Sequence, residues 1–211
     1  MFKTIIRPSN KTYSNPSAIL LLHGYGSNEV DLLSFADFFP HNYFIISARA
    51  PISLQFGGYA WYDIFLDSKN NKMSDNKMAT KMVFKLSEFI DNTIEKYSLD
   101  KDSFNLLGFS QGAILSYALA FNYPNKFKKI MALSGYINHN IIPSITDNSI
   151  YKNLDFYISH GIFDDIIPIE IARKIPIYMK KNKIKHSYNE FSMGHEVNNE
   201  CLRSMINWFK K

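Results

Sequence analysis

The sequence predicts an α/β fold: a mostly parallel central sheet flanked by helices, in one domain over residues 1–211 with no separate lid domain. Three observations carry this reading. Short, nearly continuous apolar runs are bounded by turn residues, as in strands buried on both faces. Segments with helical period lie between them, and the two kinds alternate along the chain as βα units do. Hydrophobic residues make up 46% of the chain, enough for a substantial core, and 211 residues are too few for two ordinary domains.

In order, strands are expected at 4–7, 18–23, 43–47, 104–109, 129–133, 155–160 and 186–191. The clearest helix is 78–97, where Ala79, Met82, Val83, Leu86, Phe89, Ile90 and Ile94 form one stripe. Further helices are expected at 32–39, 111–122, 169–182 and 198–210. Two connections, 52–76 and 136–152, resist the scheme, and long connections in compact domains are often functional.

Composition narrows the function classes. The net charge of +5 comes mostly from dispersed lysines. The densest group, Lys180, Lys181, Lys183 and Lys185, falls where a helix should end and complements its dipole. No basic-aromatic interleaving suggests a nucleic-acid platform. The first apolar run, Ala18 to Leu22, is too short for a signal peptide core or a membrane span, so no stable membrane insertion is expected. With Cys201 the lone cysteine, no intrachain disulfide can form, and a cytoplasmic location is expected.

The chemistry gathers around Gly108-Phe109-Ser110-Gln111-Gly112. This G-x-S-x-G pattern is weak alone, but here it joins an expected strand to an expected helix. A serine on such a turn is lifted above the sheet, and the Gln111 N–H at the helix start faces developing negative charge. A serine hydroxyl needs a base, and the base needs an orienting acid. In sheet folds with this turn the chain order is serine, acid, histidine. His195 lies in a glycine-containing loop after the last expected strand, where a loop can return it over the sheet. His186 begins a strand, His139 lies in a polar loop, and His160 ends a strand as a structural partner of the acid-bearing loop. That loop offers Asp164 and Asp165, with a modest edge to Asp164. A second oxyanion donor is expected from the Tyr25 N–H in His23-Gly24-Tyr25-Gly26, with His23 itself holding the loop. Trp61 and Tyr62, with Phe65 and Leu66, either wall a substrate pocket or pack in the core.

These residues resemble the small carboxylesterases, acyl-protein thioesterases and lysophospholipase-like esterases of the α/β-hydrolase fold. The resemblance runs along nearly the whole chain: Leu22-His23-Gly24-Tyr25-Gly26-Ser27-Asn28-Glu29, Arg49-Ala50-Pro51, Ala60-Trp61-Tyr62-Asp63-Ile64, Gly108 to Ala113, Leu133-Ser134-Gly135-Tyr136, His160 to Asp164 with Pro168, and Met193-Gly194-His195-Glu196-Val197. Each is moderately common, but the series in this order is specific. It implies Ser110, Asp164 and His195 as the triad, and it selects Asp164 over Asp165. It also implies Tyr25 and Gln111 as oxyanion donors. Tyr62 and Ala60 depart from the family's usual Phe and Ser, which touches only pocket shape. The implied activity is hydrolysis of a carboxylic ester or thioester through an acyl-enzyme. No cofactor or metal is implied, and the partner is a small-molecule substrate, in some cases lipidated. A non-catalytic binding protein on the same fold is the competing class. Oligomeric state is not legible.

Overall fold

The computed structural model describes residues 2–10, 15–66 and 72–211. Its central sheet contains β1 (Thr4–Arg7), β2 (Ala18–Leu22), β3 (Phe44–Ala48), β4 (Phe104–Phe109), β5 (Lys129–Leu133), β6 (Asp155–Gly161) and β7 (Lys185–Phe191). The spatial order is β1-β3-β2-β4-β5-β6-β7. Every neighbouring pair is parallel except β1 and β3. Parallel neighbours need a crossover of a dozen or more residues. The main crossover helices are α1 (Asn76–Tyr97), α2 (Gln111–Asn122), the pair α3 (Ile169–Ala172) and α4 (Lys174–Lys181), and α5 follows at Asn199–Phe209.

β2 shows why its run is apolar throughout. Leu20 and Leu22 pack into the core shared with α1, α2 and α4, whereas Ile19 and Leu21 pack on the opposite face against α5. All five residues of the strand are fully buried. α1 is capped by Asp75, whose carboxylate accepts the Met78 N–H at 2.9 Å. Of the stripe seen in the sequence, Ala79, Met82, Val83, Leu86 and Ile90 are buried, Phe89 and Ile94 are half-buried against the same core, and Ser87 and Thr93 are buried as well. α5 begins similarly at Asn198, whose side chain accepts the Cys201 N–H at 2.9 Å.

The expected elements are found, with three differences. The helix expected at 32–39 is a 3-10 helix, Leu32–Phe38. It receives no side-chain cap, Pro40 follows closely, and the Arg7 guanidinium satisfies carbonyls at its end, including Phe39 O at 3.2 Å and Pro40 O at 2.9 Å. The helix expected at 169–182 is split at Arg173. Pro176 has no N–H to give Ala172 O, so the α-helical ladder is interrupted there. The 52–76 connection holds two small antiparallel hairpins, pairing Ile52–Ser53 with Tyr59–Ala60 and Ile64–Leu66 with Lys72–Ser74. Among the described residues, no helix is long and apolar enough to cross a membrane.

Candidate active site

The residues singled out by sequence meet at the carboxyl ends of the parallel strands. Gly24 and Tyr25 follow β2, Ser110 follows β4, Asp164 follows β6, and His195 follows β7. Open parallel sheets place their sites at this edge because the loops there converge.

Ser110 has φ +52° and ψ −115°, a backbone state that non-glycine residues seldom adopt. The surroundings hold it there. Its N–H donates to Leu133 O of β5 at 2.9 Å, and its carbonyl accepts the Ile114 N–H of α2 at 3.0 Å. The glycines on each side are steric requirements. A Cβ on Gly112 would lie 1.9 Å from Leu22 O, and one on Gly108 would lie 2.4 Å from Gly112 O. Strand and helix therefore approach more closely than any side chain would permit.

The Ser110 hydroxyl lies 2.9 Å from His195 Nε2, and His195 Nδ1 lies 2.7 Å from Asp164 Oδ2. The carboxylate can only accept, so Nδ1 carries the proton and Nε2 is free to accept from the serine. The other carboxylate oxygen, Asp164 Oδ1, accepts the Ile166 and Ile167 N–H groups at 2.9 and 2.8 Å. Asp164 is 6% exposed and fully engaged, whereas Asp165 faces solvent. The geometry thus separates the two carboxylates.

The remaining histidines have other settings. His160 is wholly buried, with Nε2 2.8 Å from Ile167 O and 3.2 Å from Asp164 Oδ2. Its ring braces the turn that carries the acid. Burial holds its pKa below the usual value, and its Nδ1 has no partner among the described residues. His186 bonds its own connection at Ile184 O, and His139 is exposed against Tyr178. His23 is 1% exposed and lies between Gly24 O and the Ala50 N–H. Its pKa is lowered, chiefly by burial.

Trp61 and Tyr62 do not wall an accessible pocket: both side chains are fully buried in the core. Trp61 lies edge-on to Phe2, and its indole N–H donates to His23 O at 2.9 Å. Their backbone instead supports the site. Gln111 Oε1 accepts the Trp61 N–H, and Gln111 Nε2 donates to Tyr62 O, both at 2.8 Å. The exposed aromatic residues beside Tyr25 and Asp164 are different ones. Phe56 is 75% exposed and lies against Tyr25, with ring centroids 6.3 Å apart. Phe163, beside Asp164, is 70% exposed and donates its N–H to Met193 O.

Sequence reasoning missed the Gln111 side chain and the Glu29–Arg49 pair. Glu29 is 2% exposed, and both its oxygens are engaged by the Arg49 guanidinium from the end of β3. The charge-assisted bonds hold its carboxyl down at about 2. The available signal was the placement of both charges inside segments that resemble the family's, Leu22 to Glu29 and Arg49 to Pro51. Among the described residues, no three His, Cys, Asp or Glu side chains are grouped to hold a metal ion.

The family described as phospholipase/carboxylesterase matches residues 4–211. Acyl-protein thioesterase 1 of Kluyveromyces lactis is 24% identical over 221 residues, covering 98% of this chain and 96% of that protein. The carboxylesterase of Bacillus cereus superposes with a TM-score of 0.85 at 20% identity, covering 100% of this chain and 94% of that one. A carboxylesterase from Mesorhizobium loti gives 0.84 at 18% identity, covering 99% and 94%. With the family match spanning nearly every residue and the sheet architecture in agreement, the chain belongs to the phospholipase/carboxylesterase family, on the α/β-hydrolase fold.

Proposed function

We propose that the protein is a serine esterase that cleaves carboxylic ester or thioester bonds through an acyl-enzyme, with a carboxylesterase as the first reading. The observation that carries it is the continuous hydrogen-bonded series Asp164–His195–Ser110. Ser110 Oγ attacks the carbonyl carbon while His195 Nε2 takes the hydroxyl proton. Asp164 holds the imidazole tautomer and stabilises its cationic form. The Tyr25 and Gln111 N–H groups receive the oxyanion, and losing one such donor typically costs about 2.7–4 kcal/mol. Collapse of the tetrahedral species expels the alcohol or thiol, which takes the proton from His195. Water then repeats the sequence on the acyl-enzyme and releases the carboxylic acid.

An acyl-protein thioesterase or lysophospholipase activity is the second reading. The exposed Phe56, against Tyr25, and Phe163, next to Asp164 in the chain, favour it, because they offer apolar surface to a long acyl chain or a lipidated partner. Rates on matched esters and thioesters of increasing chain length separate the two. The test of the chemistry is Ser110→Ala, for which turnover of p-nitrophenyl acetate should fall by about 10⁴ or more. Near-full activity in that variant would reject the assignment. A folded wild-type protein that never labels at Ser110 with a fluorophosphonate would favour a binding protein instead.

A further inference from the structure

The peptide joining Gly24 to Tyr25 carries the proposed oxyanion donor on its nitrogen and an acceptor on its carbonyl. A trans peptide is planar, so its C=O and N–H point in opposite directions. Whatever fixes the Gly24 carbonyl therefore also sets the direction of the Tyr25 N–H.

His23 is placed to do this. Its Nδ1 lies 2.7 Å from Gly24 O, and its Nε2 lies 3.0 Å from the Ala50 nitrogen. A carbonyl only accepts and an amide nitrogen only donates, so both neighbours demand the same tautomer: proton on Nδ1, lone pair on Nε2. The Trp61 ring packs beside the imidazole at 5.3 Å. The Ser27 N–H reaches the same Gly24 carbonyl at 3.3 Å and closes the turn. Gly24 itself is pressed against the nucleophile, since a Cβ built on it would lie 3.3 Å from Ser110 Cβ. The peptide held by His23 is thus within contact range of the reacting serine.

We propose that His23 is a positioning residue for the oxyanion hole, held by the Ala50 amide as the Nδ1–H tautomer and aiming the Tyr25 N–H through the Gly24 carbonyl. The proposal rests on the reading of Tyr25 as an oxyanion donor. Donation into the carbonyl also polarises the peptide and makes its N–H a better donor. The contribution belongs to the transition state, because the bond is strongest when the substrate oxygen carries charge.

Two near-isosteric variants separate this role from simple packing. His23→Asn keeps an N–H donor where Nδ1 stands and loses the reach to Ala50. His23→Gln keeps an acceptor towards Ala50 and loses the donor to Gly24. On p-nitrophenyl acetate, kcat should fall on the order of 10- to 100-fold in His23→Gln, with KM within about twofold of wild type. His23→Asn should recover most of that loss. The affinity of a trifluoromethyl ketone, whose adduct carries the oxyanion, should fall by the same factor as kcat. Equal kcat in the two variants, or losses that follow their unfolding temperatures instead of the donor, would overturn the proposal. Ser110→Ala keeps the two readings apart. If that variant is inert while both His23 variants match wild type, only the positioning role fails; if it stays active, the serine-hydrolase reading fails.

Discussion

The floor of the site and its rim are built on opposite rules. Beneath Ser110, Gly108 and Gly112 admit no added atom, and Gln111 is tied at both ends of its amide to the backbone of Trp61 and Tyr62. At the rim, Phe56 and Phe163 spend most of their surface in solvent. The floor leaves the reacting atoms little room to shift, which catalysis by positioning requires. The rim is free to vary without disturbing them. Substitutions in the floor should therefore cost stability and kcat, whereas substitutions in the rim should alter substrate preference alone.

The sharpest way to break this contrast is Gly112→Ala. The new methyl would meet the Leu22 carbonyl, which is backbone of the central sheet and has no side chain to swing aside. A loss of about 3 kcal/mol or more is expected in urea unfolding, with activity falling as well. A variant of wild-type stability would show that the floor yields.

Next in size is the acid limb of stability. The Glu29 carboxyl is held at about 2 against a reference of 4.5, first by its hydrogen bonds to Arg49. A lowered carboxyl pKa stabilises the fold above the unfolded-state value, and the contribution is lost as pH falls from about 4.5 towards 2. Glu29→Gln should lower the unfolding temperature at pH 7 and flatten its decline across that acid window. An unchanged slope would remove Glu29 from the acid sensitivity of the loop.

The smallest effects belong to the rim. Phe56→Ala and Phe163→Ala should change stability by no more than about 0.5 kcal/mol, as exposed positions do. KM for long-chain esters should rise several-fold while acetate hydrolysis stays near wild type. A large drop in acetate turnover would place these side chains with the floor instead.

The contrast also explains what could be read from sequence. Buried parallel strands such as Ala18–Leu22 announce themselves because both faces demand apolar residues. The nucleophile turn is legible because its steric demands leave glycine at both flanking positions. Trp61 and Tyr62 were ambiguous because an aromatic residue is equally suited to a core and a pocket, and only tertiary packing decides. The hairpins at 52–74 were missed because strands of two or three residues are too short to show a period. The Pro176 break was visible in principle, but the apolar stripe continuing through Met179 masked it. The Gln111 bonds had no local signal, since their partners lie 49 and 50 residues away.

The site's dependence on distant strands has a consequence for folding. Ser110 and His195 are separated by 85 residues, and they come together only when β4 through β7 are in register. Helices and local hairpins can form well before such long-range closure. During refolding from denaturant, the helical circular dichroism signal should therefore return ahead of ester turnover. Enzyme activity becomes a clock for the last stage of assembly, one that starts only when the sheet is complete.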